Sequence, residues 1–107
     1  MTRPIRMRVR LEGDVAEIRA LIDHPMETGL RKDARTGQLV PLHFIQNLTV
    51  SLDGKPVLET EWGQAMARNP YIQLRVHGAK ADDEVTIEWV DNQGERGRAS
   101  TRVPPPG

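Results

Sequence analysis

The chain contains no cysteine. That one absence excludes disulfides, thiolate nucleophiles, iron–sulfur ligation and the cysteine-dependent zinc and blue-copper centres. Aromatic residues are few: two tryptophans, one tyrosine and one phenylalanine among 107 residues. There is no excess of either charge, because 15 basic residues cancel 15 acidic ones, so no overall field draws the protein to nucleic acid or to an anionic membrane. No apolar run approaches the roughly 18 residues that a membrane helix needs. The arginines at 3, 6, 8 and 10 are followed by no apolar stretch of signal-peptide length. The expectation is a soluble single domain with no secretory leader visible. Lack of cysteine fits a reducing compartment without requiring one. A domain this size buries roughly two-thirds of the surface its unfolded chain exposes, enough to fold without staples.

What is present is alternation with period two. Ile5, Met7, Val9 and Leu11 oppose Arg6, Arg8 and Arg10, the pattern of a half-buried strand. Residues 15–22 set Ala16, Ile18, Ala20 and Ile22 against Glu17 and Arg19, and strand is expected there over helix. From His43 to Leu52, Phe44, Leu48, Val50 and Leu52 oppose His43, Asn47, Thr49 and Ser51. Asp53-Gly54 then suits a type I′ hairpin turn, whose two central residues need positive φ, and a second strand runs on through Trp62. Ile72, Leu74 and Val76 form a further strand ended by Gly78. Val85, Ile87 and Trp89 form the next, and Asn92-Gln93-Gly94 turns into a last one holding Ala99, Thr101 and Val103. About seven short strands with no clear helix predict an all-β fold, an immunoglobulin-like antiparallel β-sandwich. It spans residues 1–103 and is followed by a proline-rich tail, 104–107.

Between the second and third strands lies His24-Pro25-Met26-Glu27-Thr28-Gly29-Leu30-Arg31-Lys32-Asp33, which hairpin geometry alone does not demand. Pro25 and Gly29 punctuate the backbone, Met26 and Leu30 are apolar, and Arg31 and Lys32 are charged. Residues 23–42 show little alternation, and structureless loops of that length are often functional. The expected partner-binding residues are therefore His24, Pro25, Met26, Glu27, Thr28, Gly29, Leu30, Arg31 and Lys32, together with Trp62 at a strand end, since tryptophan is frequent at interface hot spots. Met26, Leu30 and Trp62 are the apolar candidates, and Glu27, Arg31 and Lys32 the polar rim. Trp89 is expected in the core.

Chemistry is expected to be absent. Ser51 and Ser100 sit in no nucleophile-elbow context, and no glycine-rich phosphate loop exists. The carboxylate pairs Asp82-Asp83 and Glu59-Glu61 have no neighbour to perturb them. His24, His43 and His77, with Met26, could ligate a metal in principle, but their spacing offers no tight ligand pair, and His43 and His77 fall on polar strand faces. No catalytic residue, cofactor or metal is predicted. The arginine row reads as a solvated face that also discourages unwanted edge pairing.

Several segments together resemble the SoxZ family: Arg3-Pro4-Ile5-Arg6, the loop quoted above, His43-Phe44-Ile45, Asn69-Pro70-Tyr71, Gly78-Ala79-Lys80, and Trp89-Val90-Asp91-Asn92 with Gly94. The likeness covers roughly residues 3–96. Asp82, where a turn glycine would be usual, and the Pro104-Pro105-Pro106-Gly107 tail depart from the family pattern. The resemblance implies an immunoglobulin-like fold and a non-catalytic subunit without cofactor. Its partner would be SoxY, whose cysteine carries sulfur intermediates during thiosulfate oxidation, with other Sox enzymes docking transiently. It also implies a periplasmic home, reached by co-export with the partner, and self-association when the chain is isolated. The alternatives are a generic β-sandwich binding module and a metal or redox domain.

Overall fold

Alternating apolar and charged side chains become seven strands in the computed structural model, which describes residues 4–63 and 67–106. Arg3 of the N-terminal motif and Gly107 of the tail lie outside these described residues. The strands are β1 (Ile5–Glu12), β2 (Val15–Ile22), β3 (Ile45–Leu52), β4 (Lys55–Glu61), β5 (Tyr71–His77), β6 (Glu84–Asp91) and β7 (Arg96–Arg102). They form two antiparallel sheets, a three-stranded one in the order β1-β2-β5 and a four-stranded one in the order β4-β3-β6-β7. No described residue is helical. The expected all-β architecture of seven strands in two layers is the observed one.

Residues 15–22 are strand, and Ala16, Ile18, Ala20 and Ile22 all face the core. From the other sheet, Leu48, Val50, Val85, Ile87 and Trp89 meet them. Trp89 is almost fully buried. Gly97 lies opposite Trp89 in the β6–β7 register, and a Cβ built there would collide with the indole Nε1. The sheet gives up a side chain at Gly97, and the indole occupies the space that a Cβ would take.

The β3–β4 turn behaves as Asp-Gly predicts. Asp53 has φ 49° and Gly54 has φ 81°, the left-handed pair of a type I′ turn. Asp82 has φ 72°, in the left-handed region that glycine enters most readily.

Strand β3 departs from simple alternation. Its register with β6 shifts between Ile45 and Asn47. A β-bulge adds one residue to one strand and reverses the parity of everything beyond it. Ile45 and Leu48, three positions apart, are thus both buried, and His43 is carried to the inner side with Ile45. The expectation of a polar-face His43 is corrected on this ground. The strand itself begins at Ile45, while His43 pairs with Glu27 in an isolated antiparallel bridge.

Candidate functional site

The connection from β2 to β3 is ordered by its own hydrogen bonds. Glu27 and His43 exchange backbone bonds of 2.6 and 3.0 Å, and Val40 N donates to Arg31 O at 2.8 Å. Lys32 and Leu39 form a second bridge. At the tip, Asp33 Oδ1 accepts from the Arg35 and Thr36 amides, and Gly37 N donates back to Asp33 O. What reads in sequence as a structureless crossover is a narrow, hairpin-like arm. Gly29 packs closely on Leu42, where a Cβ would meet the Leu42 Cβ at 3.2 Å.

The predicted loop residues divide by direction. His24, Met26 and Glu27 point inward, Pro25 and Gly29 are half-buried, and Thr28, Leu30, Arg31 and Lys32 are exposed. Leu30 is 81% exposed, and Leu39 and Leu42 nearby are exposed as well. Met26 joins the core, and its Sδ accepts the Ile45 amide at 3.4 Å. The Glu27 carboxylate takes both Nε and Nη2 of Arg31, the shortest contact being 2.7 Å. The Arg31 hydrogen bond and charge hold the Glu27 carboxyl below its ordinary range, and partial burial opposes that shift. Trp62 is half-buried against the core, with its amide on Gln46 O.

At the base of this arm is a buried polar cluster. His24 follows β2, His43 precedes β3, and Asp91 ends β6. Asp91 Oδ2 lies 3.0 Å from His24 Nε2 and 2.6 Å from His43 Nε2. Asp91 Oδ1 accepts the amides of Gln93 and Glu95 at 3.0 and 2.9 Å. Burial pushes the Asp91 carboxyl up, but the two histidines and two amides outweigh it and hold the group below the ordinary aspartate range. An ionised carboxylate only accepts, so both histidine Nε2 atoms donate to it. His24 Nδ1 in turn accepts the Met26 amide at 3.1 Å, which fixes the proton of His24 on Nε2. The two imidazoles meet edge to face with centroids 4.5 Å apart, and His24 stands on the Trp89 ring at 5.1 Å.

Glu95, in the β6–β7 turn, brings Oε2 to 3.3 Å from His43 Nε2. The ligand-type atoms of His24, His43, Asp91 and Glu95 lie within 4.8 Å of one another. Sequence reasoning named His24 and His43 but missed both carboxylates, while His77, the third candidate, is exposed at the end of β5. A signal for Asp91 exists in the sequence. It continues the inward series Val85, Ile87, Trp89, and a carboxylate at an inward position needs donors.

The fold has well-matched counterparts. A superoxide reductase from Nanoarchaeum equitans superposes with a TM-score of 0.63 at 12% identity, covering 92% of this chain and 90% of that one. The hypothetical protein PH1083 from Pyrococcus horikoshii OT3 gives 0.65 at 11% identity, over 94% and 88%. The reduced superoxide reductase (neelaredoxin) from Archaeoglobus fulgidus gives 0.59 at 15%, over 96% and 89%. At these identities the likeness is one of fold. No curated protein sequence matches the chain. The model of one family, sulphur oxidation protein SoxZ, matches residues 5–102, nearly the whole chain, and the chain belongs to that family.

Proposed function

We propose that this chain is the non-catalytic half of a sulfur-oxidation carrier complex, pairing with a SoxY-type subunit whose cysteine holds the sulfur intermediate during thiosulfate oxidation. Membership of the SoxZ family supports a role in the Sox system. With no cysteine of its own, the chain cannot form a thiol-linked intermediate, so its part is to hold and shield a subunit that does.

The observation that carries the docking role is the arm between β2 and β3. It is tied down at Glu27–His43 and Arg31–Val40, yet it presents Leu30 almost wholly to solvent. A rigid arm with an exposed leucine loses little conformational freedom on binding, which favours affinity. In this reading Thr28, Leu30, Arg31 and Lys32 touch the partner. His24, Pro25, Met26, Glu27 and Gly29 set the shape of the arm. Trp62, half-buried at the end of β4, contributes at the margin. Other Sox enzymes dock transiently on the assembled pair, and the isolated chain self-associates through the same face. The complex works in the periplasm, which this subunit reaches folded onto an exported partner.

Affinity capture from thiosulfate-grown cells tests the pairing. The expected result is a stoichiometric companion that carries a cysteine near its C-terminus; capture of only cysteine-free proteins would sink the proposal. Fractionation of cells with and without the partner gene tests the location, and cytosolic retention in both would count against co-export.

A further inference from the structure

The geometry points to a divalent-metal site of one histidine and two carboxylates at the base of the arm, formed by His43 Nε2, Asp91 Oδ2 and Glu95 Oε2. This goes beyond the carrier role and does not depend on it. The sequence expectation of no metal rests on ligand spacing along the chain, whereas these three residues come from the segment just before β3, the end of β6 and the following turn. His43 Nε2 lies 2.6 Å from Asp91 Oδ2 and 3.3 Å from Glu95 Oε2. Atoms that share a small cation at about 2.0 to 2.2 Å sit about 3 to 3.5 Å from one another, so His43 Nε2 and Asp91 Oδ2 move apart by several tenths of an ångström when an ion takes the place of the proton between them.

His43 Nε2 donates to Asp91 in the metal-free cluster and becomes a ligand by shifting its proton to Nδ1, which takes no hydrogen bond among the described residues. His24, by contrast, is excluded as the fourth ligand by its own hydrogen bond. The Met26 amide can only donate, so His24 Nδ1 is an acceptor and its Nε2 carries the proton. That proton points at Asp91 Oδ2. His24 is therefore a positioning residue that orients the Asp91 carboxylate, as partners of metal ligands commonly do. The amides of Gln93 and Glu95 fix the other Asp91 oxygen, and the Trp89 ring behind His24 keeps this side of the site dry.

Access comes from the opposite side. The His43 side chain is 11% exposed and that of Glu95 is 44% exposed, so an ion enters past Glu95 and finds Asp91 wholly buried behind it. Three protein ligands leave at least one position for water or a small ligand, and an imidazole with two carboxylates suits zinc, manganese or ferrous iron over copper(I).

The test is titration of zinc sulfate into the untagged, metal-stripped chain by calorimetry, with cobalt(II) absorption as a second probe. One equivalent is expected to saturate the protein. Glu95→Gln, in an exposed turn, is expected to weaken binding at least about tenfold, and His43→Gln to abolish it. His24→Gln should cost about tenfold through the misoriented Asp91 while the cobalt spectrum still appears at higher metal. His77→Gln should change nothing. Circular dichroism confirms that each variant is folded. Absence of saturable zinc binding by the wild type, or wild-type affinity in folded Glu95→Gln, would overturn the assignment.

Discussion

His43 Nε2 lies 2.6 Å from Asp91 Oδ2, joining positions 48 residues apart through a fully buried carboxylate. With His24 on the same oxygen, the Asp91 side chain ties the exit of β2, the entrance of β3 and the end of β6 into one polar knot.

Replacing Asp91 with asparagine keeps the shape and removes the charge that both imidazoles address. Loss of one partner from a buried charged network costs about 3 to 5 kcal/mol. Asp91→Asn should lower the urea midpoint of the isolated chain by a corresponding amount at unchanged slope. A midpoint equal to that of the wild type would show that the knot adds nothing to stability.

Gly97→Ala places a methyl group against the Trp89 indole, where the space is already filled. Over-packing typically costs about 1 to 3 kcal/mol. Thermal unfolding should show the loss together with a changed tryptophan emission spectrum, since Trp89 must shift to make room. An unshifted spectrum would mean that the backbone, not the ring, gives way.

The Glu27–Arg31 pair predicts a particular acid dependence. The folded-state carboxyl of Glu27 titrates below its ordinary value of 4.5, chiefly because Arg31 hydrogen-bonds it. The stabilisation is therefore complete above the ordinary value and disappears as the pH falls through the lower, folded-state one. The melting temperatures of wild type and Glu27→Gln should differ by a constant amount near neutrality and converge in acid, with a smaller gap at high salt. A gap that persists in acid would assign the effect to packing.

Leu30→Ala removes an apolar side chain that is 81% exposed in the isolated chain. Its stability should stay within about 0.5 kcal/mol of wild type, as for most surface changes. Affinity for the proposed cysteine-bearing partner should fall about tenfold, which is about 1.4 kcal/mol. Unchanged heterodimer affinity by surface plasmon resonance would remove Leu30 from the interface.

Much of the fold was legible because strands announce themselves locally. The inward sets of β1, β2, β5 and β6 follow from period two, and Asp53-Gly54 carries its turn type in its own backbone preferences. The arm was legible only as an interruption. Its internal bridges, Glu27 with His43 and Lys32 with Leu39, join residues of no distinctive pattern. The bulge after Ile45 was not legible, because nothing in Gln46-Asn47 marks an extra residue until a neighbouring strand counts it.

By itself the sequence determined that this is a thiol-free protein of alternating strands, since composition and short-range periodicity are properties of the chain alone. Only the tertiary structure decided that His24, His43, Asp91 and Glu95 converge. That meeting depends on strand pairing between distant segments and on one inserted residue that turns His43 inward. Such long-range register is set by the packing of the whole core, and no local stretch of residues encodes it.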